Sequence, residues 1–352
     1  MNEVKFNDSL VEINKRNYAK ALDGLIELTK THREIPNYVW HNVGLCYQQL
    51  GQFEIAIDFY LKANSVKKDG QTYWNLAHCH LTKGRLLEGF RYHEYRLKVC
   101  GKKPGWQGED INGKTLVVLR DGGLGDAIQF FRYIPLLKAY NCKVFVDMPP
   151  ELVCLFGDFV SGITPAIVAS EEILHVYLMS LPHCFKTELH TIPPPVKIRC
   201  RLSPQKGRVG VVWQCSADSI YTTKSIDLRE FIPLISMTNI NYVCLQKEVS
   251  EKDQMTLDNY HVERQTIRDF SDTVKLIQQC EYVISACTSV AHLAATMGVP
   301  TLIPLAFNHC WRWLEDRIDS PWYPSIRLYR QKNSGDWSEP LKEVQQFLTK
   351  KF

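Results

Sequence analysis

Two patterns of apolar and polar positions divide the chain. Through the first hundred or so residues, apolar side chains return every three or four positions, as in "YVWHNVGLCYQQLGQFEIAIDFYLKA" (38–63) and "QTYWNLAHCHLTKGRLLEGFRYHEYR" (71–96). That period predicts amphipathic helices joined by short turns. After the connector "VCGKKPGWQGEDINGK" (99–114), short β-branched runs alternate with helical patterns: "TLVVL" (115–119), "KVFVD" (143–147), "RVGVVW" (208–213), "NYVCL" (241–245), "YVIS" (282–285) and "PTLIPL" (300–305). Strand, turn and helix repeating in this order predict parallel sheets covered on both faces. A proline-rich break, "HTIPPPVKIRCRLSPQKGR" (190–208), sorts the strands into two groups. The expected organisation is a helical domain over 1–103, a first α/β half over 104–205 and a second over 206–352, with ligands at the carboxyl ends of the strands. The closing helix, "EPLKEVQQFLTKKF", is expected to pack back on the first half.

The helical segment is an internal repeat. Asn42 and Asn75, Gly51 and Gly84, Phe53 and Leu86 share one offset of 33 residues, and "NYAKALDGLIEL" (17–28) is a weaker earlier copy with Tyr18 and Ala21 in the places of Phe53 and Ala56. Small residues (Gly44, Ala77, Ala56, Gly89) fall where paired helices approach closely. Period, small positions and turn glycines together resemble the tetratricopeptide repeat. Such units bury their apolar faces by stacking, which suits a docking module for a protein partner.

Composition narrows the classes. With 42 basic and 38 acidic residues the net charge is +4, so no basic stripe points to nucleic acid. No apolar run approaches the roughly 18 residues of a membrane span, and the start, "MNEVKFNDSLVEINKRN", is polar. Twelve scattered cysteines without C-x-x-C pairs read as free thiols, mostly small core residues, in a cytoplasmic protein.

Candidate chemistry sits in two strand-to-helix turns. In "VVLRDGGLGDAIQFFRYIPLLK" (117–138), Gly122, Gly123 and Gly125 let the backbone turn sharply after the strand and approach a ligand, and Asp126 stands at the helix start. The stretch lacks the third glycine of G-x-G-x-x-G and has no G-K-[ST], which excludes the dinucleotide and P-loop signatures. Asp126 either caps the helix or faces the cleft as a functional carboxylate. In "YVISACTSVAHLAATMGVP" (282–300), Thr288 and Ser289 begin a small-residue helix with His292 one turn in. A helix start of this kind either closes on its own cap or receives a phosphate.

These segments, with "YLMSLPHCFKTELHTIPPPV", "VGVVWQCSADSIYTTKSIDLREF" and "WRWLEDRIDSPWYPSIRLYRQ", resemble bacterial tetratricopeptide-repeat proteins whose C-terminal part is similar to glycosyltransferase family nine, the heptosyltransferases. The resemblance covers essentially the whole chain in the same motif order. It implies a GT-B fold of two Rossmann-like halves, a nucleotide-diphosphate sugar donor held by the second half, a glycan or protein acceptor, and inversion at the anomeric carbon without a metal. By position it makes Asp126 the general base and Lys224, in "TTKSIDL", the cation beside the donor phosphates. It makes Thr288, Ser289 and His292 the phosphate-binding helix start, and Gln246 and Arg312 further donor contacts. The loop "LMSLPH" (178–183) and the glycines at 122, 123 and 125 fall on the acceptor side. Trp313 and Trp322 read as a structural cap over the sheet edge.

The chain departs from the family at two places. Cys287 and Cys310 stand where family members carry acidic residues. Loss of an acid near the donor leaves a second reading open, a binding scaffold in which the repeats act and transfer is weakened.

Overall fold

The computed structural model describes residues 3–160, 162–163, 173–215 and 222–352. Positions 216–221 of the "VGVVWQCSADSIYTTKSIDLREF" motif lie outside the described residues. The chain forms two compact units. One joins Met1–Gln107 with Pro182–Thr191 and Cys310–Glu315, and the other holds Gly108–Leu181, Ile192–His309 and Asp316–Phe352. The helical unit therefore takes in two segments that the boundaries at 103 and 205 place elsewhere.

Its helices are α1 (Glu3–Asn14), α2 (Tyr18–Thr31), α3 (Asn37–Gln49), α4 (Phe53–Val66), α5 (Gly70–Thr82), α6 (Leu86–His93) and α7 (Tyr95–Val99). The repeat seen in the sequence recurs in the backbone. Gly51 and Gly84, 33 residues apart, both adopt φ +76°, the left-handed conformation that closes α3 and α5. Ala21, Ala56 and Ala77 are fully buried at the crossings. At Gly89 a Cβ would lie 2.6 Å from both Leu81 Cγ and Cδ2 and 3.0 Å from the Leu81 backbone nitrogen. Alanine gains about 1 kcal/mol of helix propensity over glycine, but a rotamer change cannot move Leu81 Cγ and nitrogen away together. Gly89→Ala is therefore expected to lose about 1–3 kcal/mol net in denaturant unfolding.

The two inserted segments are packed into this unit. Trp311 meets Phe90 edge-on with ring centroids 5.7 Å apart, Lys83 pairs with Glu315 at 2.6 Å, and the Cys184 thiol lies 3.3 Å from the Trp106 carbonyl. Trp313, fully buried, belongs here and caps no sheet edge.

The second unit contains two separate parallel sheets. The first runs β3 (Gly162–Ile163), β2 (Lys143–Val146), β1 (Thr115–Leu119), β4 (Ile173–Tyr177) across its width. The second runs β10 (Ile326–Arg330), β9 (Thr301–Leu305), β8 (Tyr282–Ser285), β5 (Arg208–Val212), β6 (Asn241–Cys244), β7 (Glu263–Arg264). Every recorded pairing is parallel, with Val117 opposite Phe145 and Val211 opposite Ile284. β5 and β9 are buried at each position, as strands covered on both faces must be. Helices α8 (Leu124–Phe130) and α9 (Pro150–Phe156) follow the first sheet's strands, and the single turn α10 (Leu181–Cys184) lies where the chain passes into the helical unit at Pro182. Helices α11 (Ile232–Ile235), α12 (Glu251–Asn259), α13 (Phe270–Ile277), α14 (Ser289–Thr296) and α15 (Ser338–Thr349) accompany the second. Ser250 and Asp269 cap α12 and α13 by accepting from backbone N–H groups of the first turn. This is the GT-B architecture that the motif order implies.

Three expectations need correction. The closing helix α15 packs on the second half, where Leu341, Val344 and Leu348 join the core of Val209, Trp213 and Phe231, and Gln345 donates to the Pro233 carbonyl at 2.8 Å. Trp322, 1% exposed, meets Phe130 of α8 edge-on. The cysteines are all free thiols, but only Cys46, Cys79, Cys184, Cys244 and Cys280 are buried, and Cys100 and Cys154 are exposed. Burial alone pushes the Cys46 thiol up to about 12. No helix among the described residues is long and apolar enough to cross a membrane.

Candidate functional site

The strand orders locate the crevices. In the first sheet the chain leaves β1 toward β2 and returns to β1's other side as β4. In the second it leaves β5 toward β6 and returns beside β5 as β8. Ligands of open parallel sheets lie at the carboxyl ends of such switch points. Both candidate turns lie there, after β1 and after β8.

The glycine turn after β1 needs glycine at two of its three positions, 122 and 125. Gly122 has φ +111°, and a Cβ there would sit 2.5 Å from Asp126 Oδ2. Any side chain at 122 would therefore displace the carboxylate. The Gly123 N–H donates to Asp126 Oδ2 at 2.8 Å. At Gly125 a Cβ would meet His292 Cδ2 at 3.0 Å and Ser289 Cα at 3.5 Å. The hydrogen there lets the first turn of α8 approach the first turn of α14 without moving His292. Asp126 is the third residue of α8 and half-buried, so its carboxylate holds the Gly123 N–H while remaining partly exposed.

Neighbours that sequence reasoning passed over complete this edge. Asp121 Oδ1 accepts from the Met179 N–H at 2.9 Å, which fastens the turn to the "LMSLPH" loop after β4. Arg120 and Asp147, at the ends of β1 and β2, approach to 3.9 Å. Asp147 closes the run "KVFVD", and a carboxylate at a strand's carboxyl end was the available signal.

On the second sheet, Thr288 occupies the N-cap position of α14 in extended conformation, yet its side chain does not cap the helix. Its hydroxyl instead meets Ser285 Oγ at 3.1 Å, and Ser285 donates to the Ala286 carbonyl at 2.7 Å. Lys224 ends a turn of 3-10 helix at Thr222–Lys224 and is half-buried. Its charge acts on Cys215, whose thiol lies 3.8 Å from the Cys287 carbonyl and whose N–H donates to Ser225 Oγ at 3.0 Å. Burial raises the Cys215 pKa and outweighs the lowering by Lys224, so the thiol stays protonated. Gln246 Oε1 accepts from the Gln214 N–H at 3.2 Å after β6. Lys224, Gln246, Thr288 and Ser289 are thus gathered at the carboxyl edge of β5, β6 and β8.

Two residues of the expected set are placed otherwise. His292 is 4% exposed, its Nδ1 3.1 Å from the Tyr323 hydroxyl. Arg312 belongs to the helical unit, buried, with Nη1 2.8 Å from Cys310 Sγ and its guanidinium over the Trp311 ring.

Residues 38–69 match the tetratricopeptide repeat model. The chain is similar to the protein FlbA of Caulobacter vibrioides, 21% identical over 397 residues that cover 93% of this chain and 64% of the relative. It therefore spans just under two thirds of that curated relative's length. Among solved structures, it is similar to the iron-containing dodecameric glycosyltransferase TibC of enterotoxigenic E. coli H10407, with 13% identity and TM-score 0.47 over 68% of this chain and 76% of that one. It is also similar to the E. coli heptosyltransferase WaaC, with 10% identity and TM-score 0.45 over 68% and 100%. The strand orders, not these superpositions, carry the fold assignment.

Proposed function

We propose that this protein is an inverting glycosyltransferase that moves a sugar from a nucleotide-diphosphate donor to an acceptor hydroxyl. Asp126 serves as general base, and Lys224, Thr288 and Ser289 receive the donor phosphates. The observation that carries this reading is the approach of the two candidate turns. Gly125, next to Asp126, abuts Ser289 at the head of α14, so a base and a phosphate-accepting helix start lie on adjoining walls of one unit.

In the reaction the acceptor oxygen attacks the anomeric carbon from the face opposite the phosphate. The O–C bond forms as the C–O bond to phosphate breaks, and the electron pair leaves with the nucleoside diphosphate. Asp126 takes the acceptor's proton. Charge developing on the leaving diphosphate needs donors already in place. The N-terminus of α14, which Thr288 does not cap, and the Lys224 ammonium supply them. Screening a panel of nucleotide sugars for hydrolysis and transfer, with the product anomer read by NMR, tests the reading. A retained anomeric configuration or an inert panel rejects it.

Lys224→Ala is expected to weaken nucleoside diphosphate binding by about tenfold or more in calorimetry, since a charge-assisted hydrogen bond is worth about 1.5–3 kcal/mol. Lys224 is half-buried, which places the effect toward the lower end. Melting temperature should change little, and unchanged affinity would remove Lys224 from the site. The second reading, a tetratricopeptide-repeat scaffold with transfer lost at Cys287, would show as nucleotide binding without turnover of any donor. The repeats are assigned to docking of an acceptor or partner protein, and the free thiols suit the cytoplasm.

A further inference from the structure

The seam between α8 and α14 is polar and buried. Gly125, Gln129 and Arg132 follow one another at helical spacing along the first-half side, and His292 and Thr296 do so on α14. Gln129 is 0% exposed, Arg132 2%, His292 4% and Thr296 6%. Tyr323, fully buried, joins them. Its hydroxyl meets His292 Nδ1 at 3.1 Å, and the Arg132 guanidinium lies 4.7 Å from its ring centroid. Both amide atoms of Gln129 and the Thr296 hydroxyl find no hydrogen-bond partner among the described residues. Desolvating such groups costs free energy, and an apolar seam of the same shape would pack the helices more stably. Gln129 and Thr296 therefore do not supply stability, whereas Arg132 does through the main-chain carbonyls it holds.

We infer that His292 and Tyr323 are positioning residues, which set the separation of the Asp126 turn from the Thr288–Ser289 helix start without touching the donor. The inference rests on the transfer reading above and deepens it. The imidazole is the spacer. Its Cδ2 lies 3.0 Å from where a Cβ at 125 would stand, one residue before Asp126, and it sits one turn beyond Ser289 on α14. The Tyr323 hydroxyl fixes the ring's rotation, and Tyr323 is in turn held beneath Arg132, which accompanies α8. The base and the phosphate site are thereby referred to one buried ring. Misplacing a reacting group by about 1 Å costs roughly 10²-fold in rate, so such a spacer acts on turnover and not on donor affinity.

Three substitutions in the full chain test this: Tyr323→Phe, His292→Gln and Gly125→Ala. Each is measured for kcat and KM with the donor found by the panel, for Kd of ADP, UDP and GDP by calorimetry, and for amide exchange over residues 120–127. Tyr323→Phe removes one hydroxyl and is expected to lower kcat by about 10- to 100-fold. Its nucleoside diphosphate Kd should stay within about twofold, and exchange over 120–127 should quicken. Gly125→Ala pushes on the same ring from α8 and is expected to reproduce that pattern. His292→Gln raising Kd about tenfold with exchange unaltered would mean that the ring contacts the donor, and would overturn the inference. Unchanged kcat and exchange in Tyr323→Phe would overturn it equally. If the wild-type chain turns over no nucleotide sugar, the transfer reading falls, while faster exchange in Tyr323→Phe and Gly125→Ala still supports the spacer and unaltered exchange still rejects it.

Discussion

Asp126→Asn is expected to lose about 10²- to 10⁴-fold in sugar transfer while its melting temperature and nucleoside diphosphate affinity stay close to wild type. The structure separates the two duties of this carboxylate. As a cap, Asp126 accepts the Gly123 N–H at 2.8 Å, and an asparagine carbonyl oxygen accepts the same bond. A lost cap would cost only about 1 kcal/mol, and asparagine keeps it. Asparagine cannot take the acceptor's proton. The negative charge beside the helix start also goes, but that contributes only about 0.3–1 kcal/mol at such a position. Asp126→Ala, which removes both duties, is the control and should lose stability as well as transfer. If Asp126→Asn transfers sugar at the wild-type rate, the carboxylate is a cap alone and the base lies elsewhere.

The second large effect is on stability. Arg132→Leu is expected to lose about 2–5 kcal/mol in denaturant unfolding, because three backbone carbonyls, at about 1–3 kcal/mol for each one left unsatisfied, lose this donor. Arg132 is 2% exposed and its Nη1 donates to Trp322 O at 2.8 Å and Pro193 O at 3.0 Å, while Nε donates to Gln129 O at 2.8 Å. Replacing a buried charge by an apolar side chain can be neutral when its partners are replaced too. Here the acceptors are main chain and remain, so the loss outweighs the relief of desolvating the guanidinium. Arg132→Lys should recover little, since one ammonium cannot span three carbonyls held in a fork. A Leu variant as stable as wild type would show that the carbonyls find water instead.

The sites differ in how far the sequence disclosed them. The Asp126 turn was legible because its pattern is local: glycines, a strand before and a helix after lie within ten positions, and Gly122 and Gly125 each have a geometric reason. The runs at β1, β5, β6, β8 and β9 were legible because strands largely buried on both faces read as continuous apolar stretches, and β2 because its β-branched residues alternate with others. The two-residue strands β3 and β7 were passed over, and so were β4 and β10. β4 is mostly half-buried and carries His175, and β10 carries Arg327 and Arg330, so neither has that signature. The contact of His292 Nδ1 with the Tyr323 hydroxyl was not legible, because sequence spacing gives the face of a helix but not what packs on it.

Local pattern by itself determined most of the elements, the repeat at residues 38–63 and 71–96, the order of motifs and the turn that holds Asp126, since each depends on neighbours along the chain. Contact between distant segments decided the rest. Arg132 reaches a carbonyl 190 positions away, residues 310–315 enter the helical unit, and α15 covers the second half instead of the first. Such partners are chosen by which surfaces can exclude water together and which buried polar groups can be satisfied there. Neither quantity exists until the chain has brought those surfaces into contact.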